Sequence, residues 1–452
     1  MRSVLLLVAA MTASAADIYH VSGHGQSLCL GQGAAPGAIS TTQPYSNKRL
    51  YLSGGTTSLI PLVEGLINWG GGYTETYASG MANEVTYLST AHGFNVSVDQ
   101  NDCLGGTPYS GLARGTAPYN NWLAALTAAP ALAAAGGFNF HYAGGFVIHG
   151  EADALNNVSA TAYAGYLQTW QSNLETDANA ALARTGTLPM LVSQMSSWTA
   201  LNATQPLTCA WSTCNGTQSR GVPLGQLDAA RNNPGKIYFL GPKYQYPYAD
   251  SQHLTDAGYL AFGELAGKAW KSILIDHRYW TGLVPRSISI SGSTVTFRAW
   301  VPAGTLALDT STLPDATYCQ GVDTADPAAC TAGGGFWVAS GFEWWDDSGN
   351  ARPWVTSVSI TAADTVTISL SAPPTGGNQR LRYAFTGPAG SAKYPDATRQ
   401  PHGNIRDTDA ALGVTDGAHL YDWLATFDDP VGFSWSPPSS IGLFPLPAGF
   451  RR

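Results

Sequence analysis

The chain has 452 residues, 44% of them hydrophobic and only 12% charged, with 51 Gly and 27 Pro. That length exceeds one ordinary core, so two domains are expected, and the composition suits a loop-rich folded protein rather than a disordered one. The formal net charge of −8, with no run of Lys and Arg, argues against nucleic acid and anionic membrane surfaces as partners.

Residues 1–16 read as a secretory signal peptide: Arg2, an apolar stretch from Val4 to Ala10, and small residues at Ala13-Ser14-Ala15. The apolar run falls far short of the ~20 residues a spanning helix needs, so membrane insertion is not expected and a secreted or periplasmic location is. Short apolar runs then alternate with helical patterns over 17–282. Strands are expected at Ile18–Val21, Phe94–Val98, Gly145–Ile148, Leu188–Val192 and Lys236–Leu240. Helices are expected at Ser79–His92, Asn120–Ala135 and Ser159–Arg184, and from the N-cap Thr255 to about Leu274. Such alternation predicts a mainly parallel sheet covered by helices on both faces, with reactive groups on loops beyond the carboxyl ends of strands.

The pattern changes near Val284-Pro285. Alternating stretches at Ser287–Trp300 and Val355–Leu370, split by turn residues, predict a smaller all-β sandwich over 283–452. Its tryptophans (Trp337, Trp344, Trp345, Trp354, Trp423 and Trp435) are expected mainly in packing rather than on a sugar-binding face.

Export would permit disulfides. Six cysteines allow fifteen connectivities; closeness in sequence couples Cys209 with Cys214 and Cys319 with Cys330, leaving Cys29 with Cys103. The last pair would tie the Ser27 turn to the loop at Asp102.

Two distant stretches complete one another chemically. Gly23-His24-Gly25-Gln26-Ser27 sets a serine on a glycine-softened turn, and Asp250-Ser251-Gln252-His253 sets an acid three residues before a histidine. A serine hydroxyl is a weak nucleophile until a base takes its proton, and the base needs an orienting partner. The Gly-x-Ser-x-Gly elbow of α/β-hydrolases is not met, because Cys29 stands where its last glycine belongs. Glu151 and Asp153 are too close in sequence to read as a glycosidase pair. His20, His24, His141, His149 and His253 show no metal-ligand spacing, so no metal is expected.

Four blocks in order give a resemblance to the SGNH hydrolases, and within them to sialate O-acetylesterase-like carbohydrate esterases. They are Gly25-Gln26-Ser27, the run from Glu75 to Asn83, Val147-Ile148-His149-Gly150-Glu151-Ala152-Asp153, and the run from Asp250 to Tyr259. The resemblance covers about 17–275. It implies a flavodoxin-like three-layer α/β/α domain, a Ser27–His253–Asp250 triad, and an oxyanion hole from Ser27, Gly80 and His149. His149 stands where the family carries Asn or Gln. Gln26, His24 and Glu151 are expected to support the site or touch substrate.

The implied function is a secreted serine esterase that removes O-acetyl groups from an oligo- or polysaccharide without a cofactor. Two other functions fit the sequence less well: a lipid or aryl esterase of the same superfamily, and a glycan-binding protein with an inactive esterase domain.

Overall fold

The computed structural model describes residues 15–33, 35–65, 74–89, 94–197, 221–250, 252–320, 322, 324–387 and 401–438. Most of the expected signal peptide and the candidate pair Cys209 and Cys214 lie outside the described residues.

A seven-stranded sheet organises the first part. Its strands are β1 (Ala16–Gly25), β2 (Lys48–Ser53), β3 (Thr56–Pro61), β4 (Asn95–Asp99), β5 (Phe138–Ile148), β6 (Met190–Ser193) and β7 (Ile237–Gly241). They lie in the order β3-β2-β4-β1-β5-β6-β7, parallel except for the β2–β3 hairpin. Without that hairpin, chain order across the sheet is 2-1-3-4-5, the flavodoxin-like arrangement. The winding reverses between β1 and β5, which is where sheets of this kind place a crevice beyond the strand ends. Ser27 follows β1 and Glu151 follows β5, so both stand at that reversal.

The helices are α1 (Ser27–Leu30), α2 (Tyr77–Leu88), α3 (Tyr109–Leu112), α4 (Ala117–Ala135), α5 (Glu151–Leu155), α6 (Ala160–Ala181), α7 (Gly221–Asn232) and α8 (Asp256–Leu274). Thr255 caps α8 as expected, its side chain accepting the Gly258 N–H. Helix α2 begins at Tyr77, two residues before the expected start, because the Thr76 hydroxyl accepts the Ala78 N–H.

Strand β5 is much longer than the expected Gly145–Ile148. It pairs with β1 along Ala16–Gly25, and its half-buried first residues give a weak apolar signal. The β2–β3 hairpin was not expected, although Gly54-Gly55 between two alternating runs is a hairpin signal.

From Val284 the sheets are antiparallel. One holds β11-β12-β9-β8 (Val355–Ala362, Thr365–Leu370, Thr294–Trp300 and Val284–Ser291). A second holds β10-β13-β14 (Phe342–Trp345, Arg380–Tyr383 and Phe427–Pro430). Phe297 of β9 meets Phe342 and Phe427 across an apolar layer, with ring centroids 5.6 and 5.4 Å away. Among the six tryptophans, Trp344 and Trp423 are buried and the other four half-buried, which fits packing.

The two parts share one apolar core, which includes Val192, Tyr244, Leu283, Phe297, Trp423 and Phe427. Polar contacts reinforce it. The Gln194 amide exchanges two 2.8 Å hydrogen bonds with the Thr426 backbone, and Arg231 grips Asp429 through two bonds. Lys268 of α8 donates to Asp409, Asp422 and the Leu420 carbonyl.

Candidate active site

Ser27 opens α1 immediately beyond the central strand. Gly25 has φ +151°, and a Cβ there would lie 2.0 Å from the Ile148 carbonyl oxygen, so only glycine lets β1 and β5 approach this closely before the turn. Gln26 bridges the two strand ends: its side-chain oxygen accepts the Ala152 N–H at the start of α5. Ser27 stands at the first helical position, where an N–H has no acceptor within the helix. The Cys29–Cys103 disulfide fastens α1 to the loop after β4, and Cys319–Cys330 forms in the β-rich part. Closing a loop of 74 residues contributes on the order of 4 kcal/mol by the chain-entropy relation.

The loop between β7 and α8 carries the other two groups. Asp250 Oδ1 accepts the backbone N–H groups of Gln252 and His253, each at 2.7 Å, and so folds the turn on itself. Its Oδ2 accepts from His253 Nδ1 at 2.7 Å. A carboxylate only accepts, so the His253 proton sits on Nδ1 and Nε2 is left as acceptor. Ser27 Oγ lies 2.9 Å from that Nε2, although 226 residues separate the two in sequence. Ser27 and His253 are 5% and 8% exposed, and the Asp250 side chain is half exposed. Burial raises the Asp250 carboxyl, but the hydrogen bonds from the His253 ring and two N–H groups outweigh it and hold it below the ordinary range. Thus Ser27, His253 and Asp250 form one continuous hydrogen-bonded chain.

Two expected oxyanion donors have other partners in the fold. His149 is fully buried; Nε2 donates to the Thr107 carbonyl at 2.9 Å and Nδ1 meets the Tyr163 hydroxyl at 2.8 Å. Both ring nitrogens are committed, and burial lowers the ring's proton affinity, so no N–H remains to offer. Gly80 is the fourth residue of α2, where the N–H enters the helical ladder toward the Thr76 carbonyl. A Cβ at Gly80 would lie 2.5 Å from the Leu260 carbonyl oxygen, so this glycine serves the close packing of α2 on α8.

His24 is bonded through Nδ1 to Asp102, and both are fully buried. Glu151, at the head of α5, is buried with no hydrogen-bond donor to either carboxylate oxygen among the described residues. Its charge acts on Lys243, which the sequence gave no reason to single out. Lys243 is fully buried and donates to Ser193 Oγ and the Gln194 carbonyl. Burial pushes its ammonium down to about 8, with the Glu151 carboxylate pulling the other way. Asp153 accepts the Tyr109 N–H at the start of α3, a structural bond.

Among the described residues, Asp407, Asp409 and Asp422 cluster closely enough to share a cation. The Lys268 ammonium already bonds two of them, so the cluster has its own counter-charge.

No family model and no curated protein matches the sequence. The fold itself is shared with a solved structure. XAC1771, a carbohydrate acetylesterase from Xanthomonas citri, superposes with a TM-score of 0.54 at 13% identity, covering 91% of this chain and 80% of that one. Weaker likenesses are a protein from Arabidopsis thaliana, AT4G34215 (TM-score 0.43, 15% identity, 57% of this chain and 98% of that one), and NanS (0.31, 14%, 43% and 71%). The chain therefore combines a fold shared with that solved structure with a serine, a histidine and an aspartate in hydrogen-bonded sequence. No helix among the described residues is long and apolar enough to cross a membrane.

Proposed function

We propose that this chain is a serine esterase of the SGNH type that removes O-acetyl groups from a carbohydrate. The Ser27–His253–Asp250 relay carries the reading, and the fold shared with a carbohydrate acetylesterase supports the substrate class. Ser27 Oγ attacks the ester carbonyl while His253 Nε2 takes its proton. Asp250, held ionised, stabilises the imidazolium, and the free first-turn N–H of Ser27 receives the oxyanion. His253 then gives its proton to the departing sugar hydroxyl as the carbonyl–oxygen bond breaks. Water, deprotonated by the same imidazole, attacks the acetyl-serine; acetate leaves and Ser27 recovers its proton. His24 and Glu151 take no part in these transfers.

The division into a catalytic domain at 17–282 and a β-sandwich at 283–452, the signal peptide at 1–16 and export belong to the same reading. It is supported by the parallel sheet ending at Gly241, the antiparallel sheets from Val284 and the two disulfides.

The deciding experiment compares wild type with Ser27→Ala on p-nitrophenyl acetate and on acetylated xylan, pectin and sialic acid. Acetate release from p-nitrophenyl acetate and from at least one acetylated sugar, lost for both in the variant, is the expected result. Hydrolysis that survives the substitution would overturn the mechanism. Release from long-chain lipid or aryl esters alone would overturn the substrate class.

A further inference from the structure

Ser27 and His253 lie 226 residues apart, yet one short segment touches both. It leaves α1 at Gly31, whose N–H bonds the Ser27 carbonyl, and the Gln32 N–H bonds the same oxygen at 3.1 Å. Gly33 then passes over the loop of the proposed base with φ +80°. A Cβ placed there would stand 2.5 Å from His253 Cβ and 3.2 Å from its Cγ. It would also stand 3.6 Å from Asp250 Oδ2, the oxygen that accepts from the imidazole. A methyl group suits neither this left-handed backbone nor the space, so the bare Gly33 backbone lies directly on the His253–Asp250 pair.

The segment is held beyond the pair as well. The Gln32 carbonyl accepts the hydroxyl of Tyr259, near the start of α8, at 2.7 Å. Asp256 opens α8 three residues past His253; its Oδ2 takes the Gly37 N–H at 2.8 Å, and its own N–H reaches the Ala35 carbonyl at 3.4 Å. Glu75, fully buried just before α2, accepts the N–H groups of Ile39 and Ser40 at 2.8 and 2.9 Å and the Ser40 hydroxyl at 2.6 Å. One end is thus fixed to the helix that carries the serine, and the rest to the helix that follows the histidine and to the head of α2. A backbone tied down on both sides and pressed against a ring limits the angles the ring can adopt. An imidazole displaced by about 1 Å loses its proton-transfer geometry, at a cost on the order of 10²-fold in rate.

We propose that Gly33 is a positioning residue, and that the segment from Gly31 to Ser40 is a strap that holds the His253 imidazole on Ser27. The strap rests on the esterase reading, because it acts through the same relay. Its test compares Gly33→Ala with Gly55→Ala, which meets the same φ of +80° in open space and so carries the backbone strain without the contact. On p-nitrophenyl acetate, Gly33→Ala should lower kcat about 100-fold with KM within about threefold, and Gly55→Ala should stay within about twofold of wild type. In a His253→Gln background, where residual hydrolysis remains measurable, Gly33→Ala should change the rate by less than about twofold, because no base is left to misplace. A merely structural loss would carry over in full. Tyr259→Phe frees the Gln32 carbonyl without adding bulk; it should lower kcat about fivefold, and that effect should also vanish in the His253→Gln background. Should Gly33→Ala not fold, Tyr259→Phe decides alone. A folded variant whose kcat matches that of Gly55→Ala, or whose loss persists without His253, would overturn the strap. Failure of the esterase reading would appear instead as p-nitrophenyl acetate hydrolysis unaffected by Ser27→Ala.

Discussion

Two histidine–aspartate pairs flank the turn that carries Ser27, and they differ in almost everything except composition. His253–Asp250 sits on a loop beyond the sheet, its acid half exposed and its second ring nitrogen on the serine hydroxyl. His24–Asp102 sits inside the sheet-helix layer, fully buried, with Nε2 making no hydrogen bond among the described residues and Trp122 and Trp170 edge-on to the ring. The two carboxyls also move oppositely. Asp250 is held below its ordinary range by donors, whereas burial raises Asp102 despite His24. An adjacent acid does not make a histidine a base. A nucleophile within reach of the free nitrogen, and access for substrate, are what separate the two pairs.

The sharpest way to break this comparison is to remove each histidine. His253→Gln should lower kcat on p-nitrophenyl acetate by about 10⁴-fold or more, with a melting curve near that of the parent. Asp250→Asn should lower it by roughly 10²–10⁴-fold, because the amide no longer fixes the productive tautomer. His24→Leu should act on the other axis. Leaving Asp102 buried without its partner should cost about 3–5 kcal/mol in denaturant unfolding, with turnover per folded molecule within threefold. A catalytic loss in His24→Leu as large as that in His253→Gln would erase the distinction between the pairs.

Stability against pH gives a smaller and finer test. The Asp250 carboxyl is depressed on folding, so its contribution is present above the unfolded value near 3.9 and is lost as pH falls through the folded one. The Asp102 carboxyl is raised, so stability drawn from its proton is present below the unfolded value and lost as pH rises through the folded one. Urea unfolding from pH 3 to 7 should therefore show Asp250→Asn losing less stability than wild type as pH falls below about 4. Asp102→Asn should instead flatten the change above that pH. The same slope in both variants would show that the two acids share one environment.

Much of the fold was legible because its signals are local. Thr255 and the periodic run after it mark α8, and the alternation in Thr294–Trp300 and Thr365–Leu370 marks strands with Val295, Phe297, Val366 and Ile368 inward. The β2–β3 hairpin was missed despite Gly54-Gly55, and the first half of β5 was hidden by its mixed burial. Lys243 carried no signal at all: a single lysine in Gly-Pro-Lys-Tyr says nothing about the Ser193 and Gln194 groups that receive it.

The sequence by itself determined the relation of Asp250 to His253, because three residues of turn suffice for a carboxylate to cap the backbone and hold the ring. It also determined that Gly25 would ease the turn into Ser27. Only the tertiary structure brought Ser27 to His253 across 226 residues, and only it gave His149 to Thr107 and Tyr163 and Gly80 to helix packing. The physical reason is that a buried donor bonds whatever acceptor the packing puts beside it, and packing is set by elements far apart in the chain.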